Sequence, residues 1–461
     1  MQGKALVALL CVMYGGAFLG GFNENLVNMA LVSVMGEFAV DSVTAQWLVT
    51  GYMIVATVGV TCMAFFYRRV KLRTLFFAAS AANLIGSAMG LFATSFEVLL
   101  VARLIQAVGT GIFIPMMMNT VLAVTPTEKL GIYMAIGSCI ISCSPAFSPV
   151  ICGAIVTAFG WRYIFLVPIA VSVVLVVAGA AFVRNLHNSE AHLDIPSVAL
   201  SAAALTCLSF GLAQLAITPV PAAVSLGAAV AGAVAFTIRQ LHCEHPLIDL
   251  TPVRRPEFWP TLLLVTVTMM STFSMSVVLP MYLEGALGLT AAAAGMVILV
   301  PVLVNVLVTL VGGRMLDKRG EWPLLPVGFG IIAIGFAFTA AVAPAMSVVA
   351  AFAGAVLVYG GVGLVFSPSQ TAGLRQLPAE EHPFGVALST TAVQVAACIG
   401  PSLFTGVMQA CQASQVAVGV AQGLAAAQGF SAAMAIAACI GAAGFAVATV
   451  YALKARRRAK A

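Results

Sequence analysis

Of the fifteen acidic residues in this sequence, one falls deep inside a long apolar run: Glu24, within Asn23-Glu24-Asn25. A charged carboxyl in hydrocarbon is heavily penalised unless it is paired or protonated. Glu24 is therefore a candidate proton carrier, binding a proton when its surroundings are dry and releasing it when water arrives. The competing reading is a neutral structural carboxyl bonded to Asn28 or to a neighbouring helix. Arg103 is its basic counterpart, buried in another apolar run. It either restrains Glu24 until substrate enters or anchors backbone carbonyls near the outer surface. At about 1.5 Å per residue, Arg103 lies about 9 Å below Glu97 and Glu24 about 20 Å below Glu37, so contact between the two requires helix tilt. The amides Asn23, Asn25, Asn28, Asn119, Asn305, Gln370 and Gln394 also lie in or beside apolar runs. Each either lines a cavity or hydrogen-bonds between helices. Pro145 and Pro149 each remove a backbone donor and are expected to bend the helix that carries them. Trp161-Arg162 and Trp259 stand at run ends, where interfacial anchoring is expected.

The elements that carry these residues follow from composition. Hydrophobic residues make up 62% of the 461 and charged residues only 8%, against about 25% charged in an ordinary soluble domain. The solvent for such a chain is lipid. Only helices and closed barrels satisfy their backbone there, and the unbroken apolar stretches exclude the alternation of a barrel strand. The expectation is an all-α bundle with fourteen spans, near 5–34, 45–67, 72–94, 98–124, 131–158, 162–183, 196–217, 220–240, 258–283, 291–313, 322–342, 346–368, 385–410 and 430–453. The first run lacks a small-residue cleavage site and continues past Asn25, so it reads as a retained helix.

Charge orients the bundle. With the amino terminus inside, all the basic residues except Arg103 and Arg162 fall in cytoplasmic loops or the carboxyl tail, as the positive-inside rule requires. Both termini are then cytoplasmic. The net charge of +6 is a topology signal that calls for no nucleic-acid partner. The ten cysteines show no paired or metal-ligand spacing, and the five histidines fall in loops, so neither metal nor cofactor is expected.

A faint repeat relates the two ends of the chain. Thr125-Pro126-Thr127-Glu128-Lys129 corresponds to Leu377-Pro378-Ala379-Glu380-Glu381, Ser144-Pro145 to Gly400-Pro401, and the basic loop Arg68–Arg73 to Arg314–Arg319. The expected organisation is a six-helix half at 1–183, two inserted helices with their loops at 184–257, and a second half with its basic tail at 258–461. Repeated halves place a substrate site at their interface near the bilayer midplane. Asp317, Arg314 and Arg68 are the gating candidates, because Asp317 can pair with basic residues of its own loop or accept from a helix amino terminus.

Several motifs then resemble the fourteen-helix drug–proton antiporter family of the major facilitator superfamily, the EmrB/QacA type. Arg103-Leu104-Ile105-Gln106-Ala107-Val108-Gly109-Thr110-Gly111 is similar to its R-x-x-Q-G-x-G signature, with alanine at the first glycine. Asn23-Glu24-Asn25-Leu26-Val27-Asn28-Met29-Ala30-Leu31 and Gln46–Tyr52 resemble the lincomycin-exporter-like subgroup. Two departures stand out: Met63–Lys71 loses the glycines and aspartate of the family's cytoplasmic loop, and Ser144–Pro149 replaces the usual G-P-x-x-G-G. The resemblance implies proton-coupled export of amphipathic or lipophilic compounds by alternating access in a bacterial inner membrane. Its partners would be a small-molecule substrate, protons and the bilayer, and by analogy it would act as a monomer. The altered fifth-helix motif leaves open an alternative, a carrier for a specific metabolite or lipid uncoupled from protons. Nothing in the sequence resembles an enzyme motif.

Overall fold

The computed structural model describes residues 4–125, 130–185, 194–215, 218–243, 250–378 and 381–458, and every regular element among them is helical. The chain divides into two compact units, Met1–Ala203 with Cys243–Leu247, and Ala204–His242 with Ile248–Ala461. The first holds α1 (Lys4–Asn25), α2 (Leu31–Phe38), α3 (Ser42–Arg69), α4 (Leu72–Leu91), α5 (Phe96–Val124) and α6 (Leu130–Phe159). A 3-10 turn at Trp161–Phe165 leads into α7 (Leu166–Phe182), and α8 (Ile195–Gln214) runs across the division. The second unit continues with α9 (Pro219–His242), α10 (Trp259–Gly285), α11 (Ala291–Arg319), α12 (Leu324–Val342), α13 (Val348–Leu374), α14 (His382–Ala417) and α15 (Gln422–Arg458). Thirteen helices are long and apolar enough to cross a membrane among the described residues. The fourteenth long helix is α6, whose 30 residues reach about 45 Å.

Within each unit the same pairings recur. In the first, α5 packs against α1, α3 and α4, while α1 also meets α6 and α7, and α4 meets α7. In the second, α13 packs against α10, α11 and α12, while α10 meets α14 and α15, and α12 meets α15. Helix starts repeat as well. Asp41 caps α3 by accepting from the Thr44 amide at 2.7 Å, and Ser95 caps α5. Thr290 and Ser347 cap their counterparts α11 and α13. Such side-chain oxygens satisfy amides that the first helical turn leaves free. α8 and α9 pair through Ser225 Oγ, which donates to the Cys207 carbonyl at 2.8 Å. Along α9, up to its polar last turns, the exposed side chains are apolar, among them Val220, Val224 and Val230. Hydrocarbon tails are the medium that matches them.

The structure corrects two sequence expectations. The span expected at 5–34 is not one helix: α1 stops at Asn25, residues 26–30 form a turn, and α2 carries the chain to Phe38. Three successive i to i−3 bonds hold the turn: Leu26 N to Asn23 O at 3.3 Å, Asn28 N to Asn25 O at 3.2 Å, and Ala30 N to Val27 O at 2.8 Å. A break of this kind inside a membrane protein needs buried partners for the released backbone groups. Hydropathy sees only the uninterrupted apolar run. Second, Trp161 is not an interfacial anchor. It is buried, and its indole donates to Glu37 Oε2 at 2.6 Å. Trp259 does stay exposed at the start of α10. Of the residues tied to bending, Pro149 is buried within the continuous helix α6. Pro145 on α6, Arg68 on α3, and Arg314 and Asp317 on α11 have side chains outside the described residues.

Candidate functional site

The broken end of α1 is the centre of a buried polar ring. Asn23 Nδ2 donates to Asn83 Oδ1 on α4 at 2.6 Å. One turn along α4, Ser87 Oγ donates to the Asn83 carbonyl at 2.6 Å and accepts from Gln106 Nε2 at 2.7 Å. Arg103 closes the ring from α5: Nη1 donates to Gln106 Oε1 at 2.8 Å and Nη2 to the Asn23 carbonyl at 2.9 Å. Its Nε also donates to the Leu48 carbonyl of α3 at 3.3 Å, and the guanidinium lies 4.0 Å from the centre of the Tyr52 ring. Arg103 therefore ties α1, α3 and α5 together through two backbone carbonyls, one amide side chain and one aromatic face. The carbonyl end of a helix carries partial negative charge, so a cation there is well placed.

Helical spacing explains how α5 reaches this arrangement. Arg103, Gln106 and Gly109 recur every three residues on one face, which turns toward α4. A Cβ on Gly109 would stand 1.9 Å from Asn83 Nδ2 and 2.7 Å from the Ala79 carbonyl, so only glycine lets α4 come this close. Gly111 points toward α3, where a Cβ would meet the Ala56 carbonyl at 2.9 Å and Gly59 Cα at 3.0 Å. The two arms of the motif thus permit two separate helix crossings, and the crossings bring the ring's hydrogen-bonding groups into register.

Glu24 sits at the end of α1 beside this ring, with 8% of its surface exposed. Among the described residues its carboxyl forms no hydrogen bond and no ion pair, and the field of Arg103 still reaches it. Arg103 spends its hydrogen bonds on Asn23, Gln106 and Leu48 instead. The tilt expected before the two helices could meet is replaced by the break in α1 and the reach of the arginine side chain. Asn25 and Asn28 pair across the turn, Nδ2 of Asn28 donating to Oδ1 of Asn25 at 3.0 Å. Asn23, Glu24, Asn25, Asn28 and Arg103 are thus brought together within the first unit. Asn119 is half-buried, 16 residues along α5 from Arg103, a separation of about 24 Å. In the second unit, half-buried Asn305 on α11 accepts from Thr309 Oγ1 through its backbone carbonyl at 2.8 Å, and Gln394 is buried on α14.

Asn83 and Ser87 went unnoticed in the sequence. With Ser80 they sit at i, i+3 and i+7 on α4, one polar line along an apolar helix, which is a readable signal for an interhelical contact. An apolar groove of about 550 Å³ runs along α1 and α6, lined by Val7, Leu10, Tyr14, Phe18, Tyr133 and Ile140 among others. That volume is in the range of small-molecule sites. None of the amide candidates lines it among the described residues. Phe18 at its end lies six residues, or about 9 Å of helix, from Glu24.

A second polar cluster joins α2 to the rest of its unit. Arg162 Nη2 lies 2.6 Å from Glu37 Oε1, and Nη1 donates to Oε2 at 2.9 Å. The same guanidinium donates to the Ala93 carbonyl between α4 and α5, at 2.9 Å from Nη2. Hydrogen bonds from Arg162 and then from Trp161 hold the Glu37 carboxyl below the usual carboxylate range.

Comparisons with known proteins agree with this build. The lincomycin resistance protein LmrB of Bacillus subtilis is 31% identical over 418 residues, covering 89% of this chain and 87% of its own. The protein of the same name from Listeria monocytogenes is 30% identical over 399 residues, covering 86% and 85%. A solved POT family transporter in complex with 5-aminolevulinic acid superposes with a TM-score of 0.72 over 98% of this chain and 97% of that one; at 14% identity this shows the fold. Residues 13–401 match the Major Facilitator Superfamily. With fourteen long helices among the described residues, its repeated packing and that match, the chain belongs to the Major Facilitator Superfamily and is a multi-pass membrane transporter.

Proposed function

We propose that this transporter exports amphipathic, lipophilic compounds in exchange for protons, with Glu24 carrying the proton. The observation that supports this reading is the carboxyl at the broken end of α1, unbonded among the described residues and within the field of Arg103. A carboxyl with no fixed partner is free to exchange a proton, whereas one locked in an ion pair is not. Arg103 holds the broken end in place beside it by donating to the Asn23 carbonyl. The apolar groove along α1 and α6 supports a lipophilic substrate, and the resistance proteins that the chain resembles support export. Asn25, Asn28, Asn119, Asn305 and Gln394 are assigned to the substrate cavity together with Asn23. Arg68, Arg314 and Asp317 are assigned to the inner gate. The transporter acts as a monomer in the inner membrane with both termini cytoplasmic, its halves 1–183 and 258–461 joined through 184–257.

The test is substrate accumulation in everted vesicles under an imposed pH gradient, beside exchange without one. Glu24→Gln keeps the shape and fixes the neutral state, so gradient-driven accumulation should disappear while exchange persists. Glu24→Asp should keep part of the activity with an altered pH profile. Wild-type accumulation by Glu24→Gln would refute the assignment.

A further inference from the structure

Glu284 is the penultimate residue of α10, half-buried and directly after Tyr282 and Leu283, which are fully buried. Its Oε1 is buried and meets no hydrogen-bond donor among the described residues. The last turn of α10 carries no basic residue, and no other charged or titratable side chain among the described residues acts on the carboxyl.

The backbone offers it nothing either. After α10 the chain reverses through Gly288, whose φ of 68° is in the left-handed region. The four amides of that reversal are all committed to backbone carbonyls: Ala286 N and Leu287 N to Tyr282 O, Gly288 N to Glu284 O, and Leu289 N to Leu283 O. The next available side-chain cap, Thr290, accepts from Ala293 N at 3.3 Å at the start of α11. The carboxyl thus stands at the carbonyl end of a helix, where negative charge is disfavoured, and the amides of the reversal are spent on backbone carbonyls. Glu37, near the end of α2 in the other unit, is treated in the opposite way, receiving donors from Trp161 and from Arg162. Two acids at corresponding ends of the repeat have environments that separate their tasks. Glu37 is held as a charged clamp. Glu284 has no partner for a charge among the described residues.

We propose that Glu284 is a second proton-binding carboxyl of the transport cycle, taking up a proton from the outer side. Rests on the proton-coupled reading above, this adds one proton per cycle to the one on Glu24. The step is a simple protonation: the carboxylate accepts a proton from water when the outer end of α10 is wetted and releases it to water later in the cycle. No bond other than O–H forms or breaks.

Two measurements test the assignment. An apolar carbodiimide, dicyclohexylcarbodiimide, modifies carboxyls that are protonated in apolar surroundings. Applied to the purified full-length protein across the acid to alkaline range, it should modify the peptide containing Glu284, with yield falling as pH rises. Glu284→Gln should remove that adduct and leave the Glu24 adduct in place, which also reports that the variant is folded. A Glu284 peptide that stays unmodified at every pH, or is modified equally at every pH, overturns the proposal.

The second measurement is the limiting accumulation of one electrically neutral substrate against the imposed pH gradient, with the membrane potential collapsed. Losing one of two coupled protons lowers that limit about tenfold per unit of gradient, since one pH unit is worth about 1.36 kcal/mol. Glu284→Gln should show this loss and Glu284→Asp should restore the wild-type slope. A wild type without gradient-driven accumulation overturns the Glu24 reading itself. A coupled wild type whose slope survives Glu284→Gln overturns only the second carboxyl.

Discussion

Gly109→Ala adds a single methyl group where α5 crosses α4, and its cost can be worked from the geometry. The new Cβ would lie 1.9 Å from Asn83 Nδ2 and 2.7 Å from the Ala79 carbonyl. Ordinary contact begins near 3.4 Å, so the amide must retreat by about 1.5 Å and the α4 backbone by about 0.7 Å. Asn83 Oδ1 accepts from Asn23 at 2.6 Å, and a retreat of that size carries the bond past about 4 Å, where it no longer counts. Overpacking costs about 1–3 kcal/mol. A buried amide donor left without an acceptor adds about 1–3 kcal/mol. Against these stands the helix propensity gained by alanine over glycine, about 1 kcal/mol. The net expectation is a loss of about 3 kcal/mol, together with impaired proton-driven accumulation, because the broken end of α1 loses its tie to α4. Gly227→Ala on α9 is the control, since a Cβ there meets nothing within 4 Å. It should be neutral or stabilising by up to about 1 kcal/mol. Thermal unfolding in detergent and vesicle accumulation are the two readouts. If Gly109→Ala melts with the wild type and transports normally, the close crossing does not hold the polar ring.

Two further outcomes follow from the clamp and from the orientation. Because Glu37 is held below its usual range in the folded state, its contribution is present above the unfolded value and lost as pH falls through the folded one. Its side chain is 42% exposed, so solvent screening limits the contribution to about 1 kcal/mol, and the stability gap between wild type and Glu37→Gln should be steady at neutral pH and close in acid. A gap that widens on acidification would contradict that sign. For orientation, Val418→Cys, exposed beyond α14, should react with an impermeant maleimide in intact cells of a background without other reactive cysteines. Arg456→Cys near the end of α15 should react only after permeabilisation; the reverse pattern would invert the topology.

Much of this transporter is legible in local sequence. A run of about twenty apolar residues becomes a membrane helix whatever surrounds it, because lipid leaves the backbone no other way to satisfy its polar groups. The long helices, the repeated caps at Asp41, Ser95, Thr290 and Ser347, and the glycines of the α5 motif all express short-range chemistry. The prominence of Glu24 and Arg103 is equally local, since charge in an apolar run is conspicuous by composition alone. What each does is not local. Hydropathy could not show that α1 ends at Asn25, since the break depends on Arg103, 80 positions away along the chain, donating to the Asn23 carbonyl. Nor could it separate Glu37 from Glu284, two acids near helix ends with the same intrinsic chemistry. One meets Arg162 and Trp161, and the other meets a turn whose amides are already taken. Sequence determined which residues carry charge and which segments enter lipid, because those are properties of a residue and its near neighbours. Tertiary structure decided which charges are balanced, because the donors that balance them arrive from helices far apart in the chain.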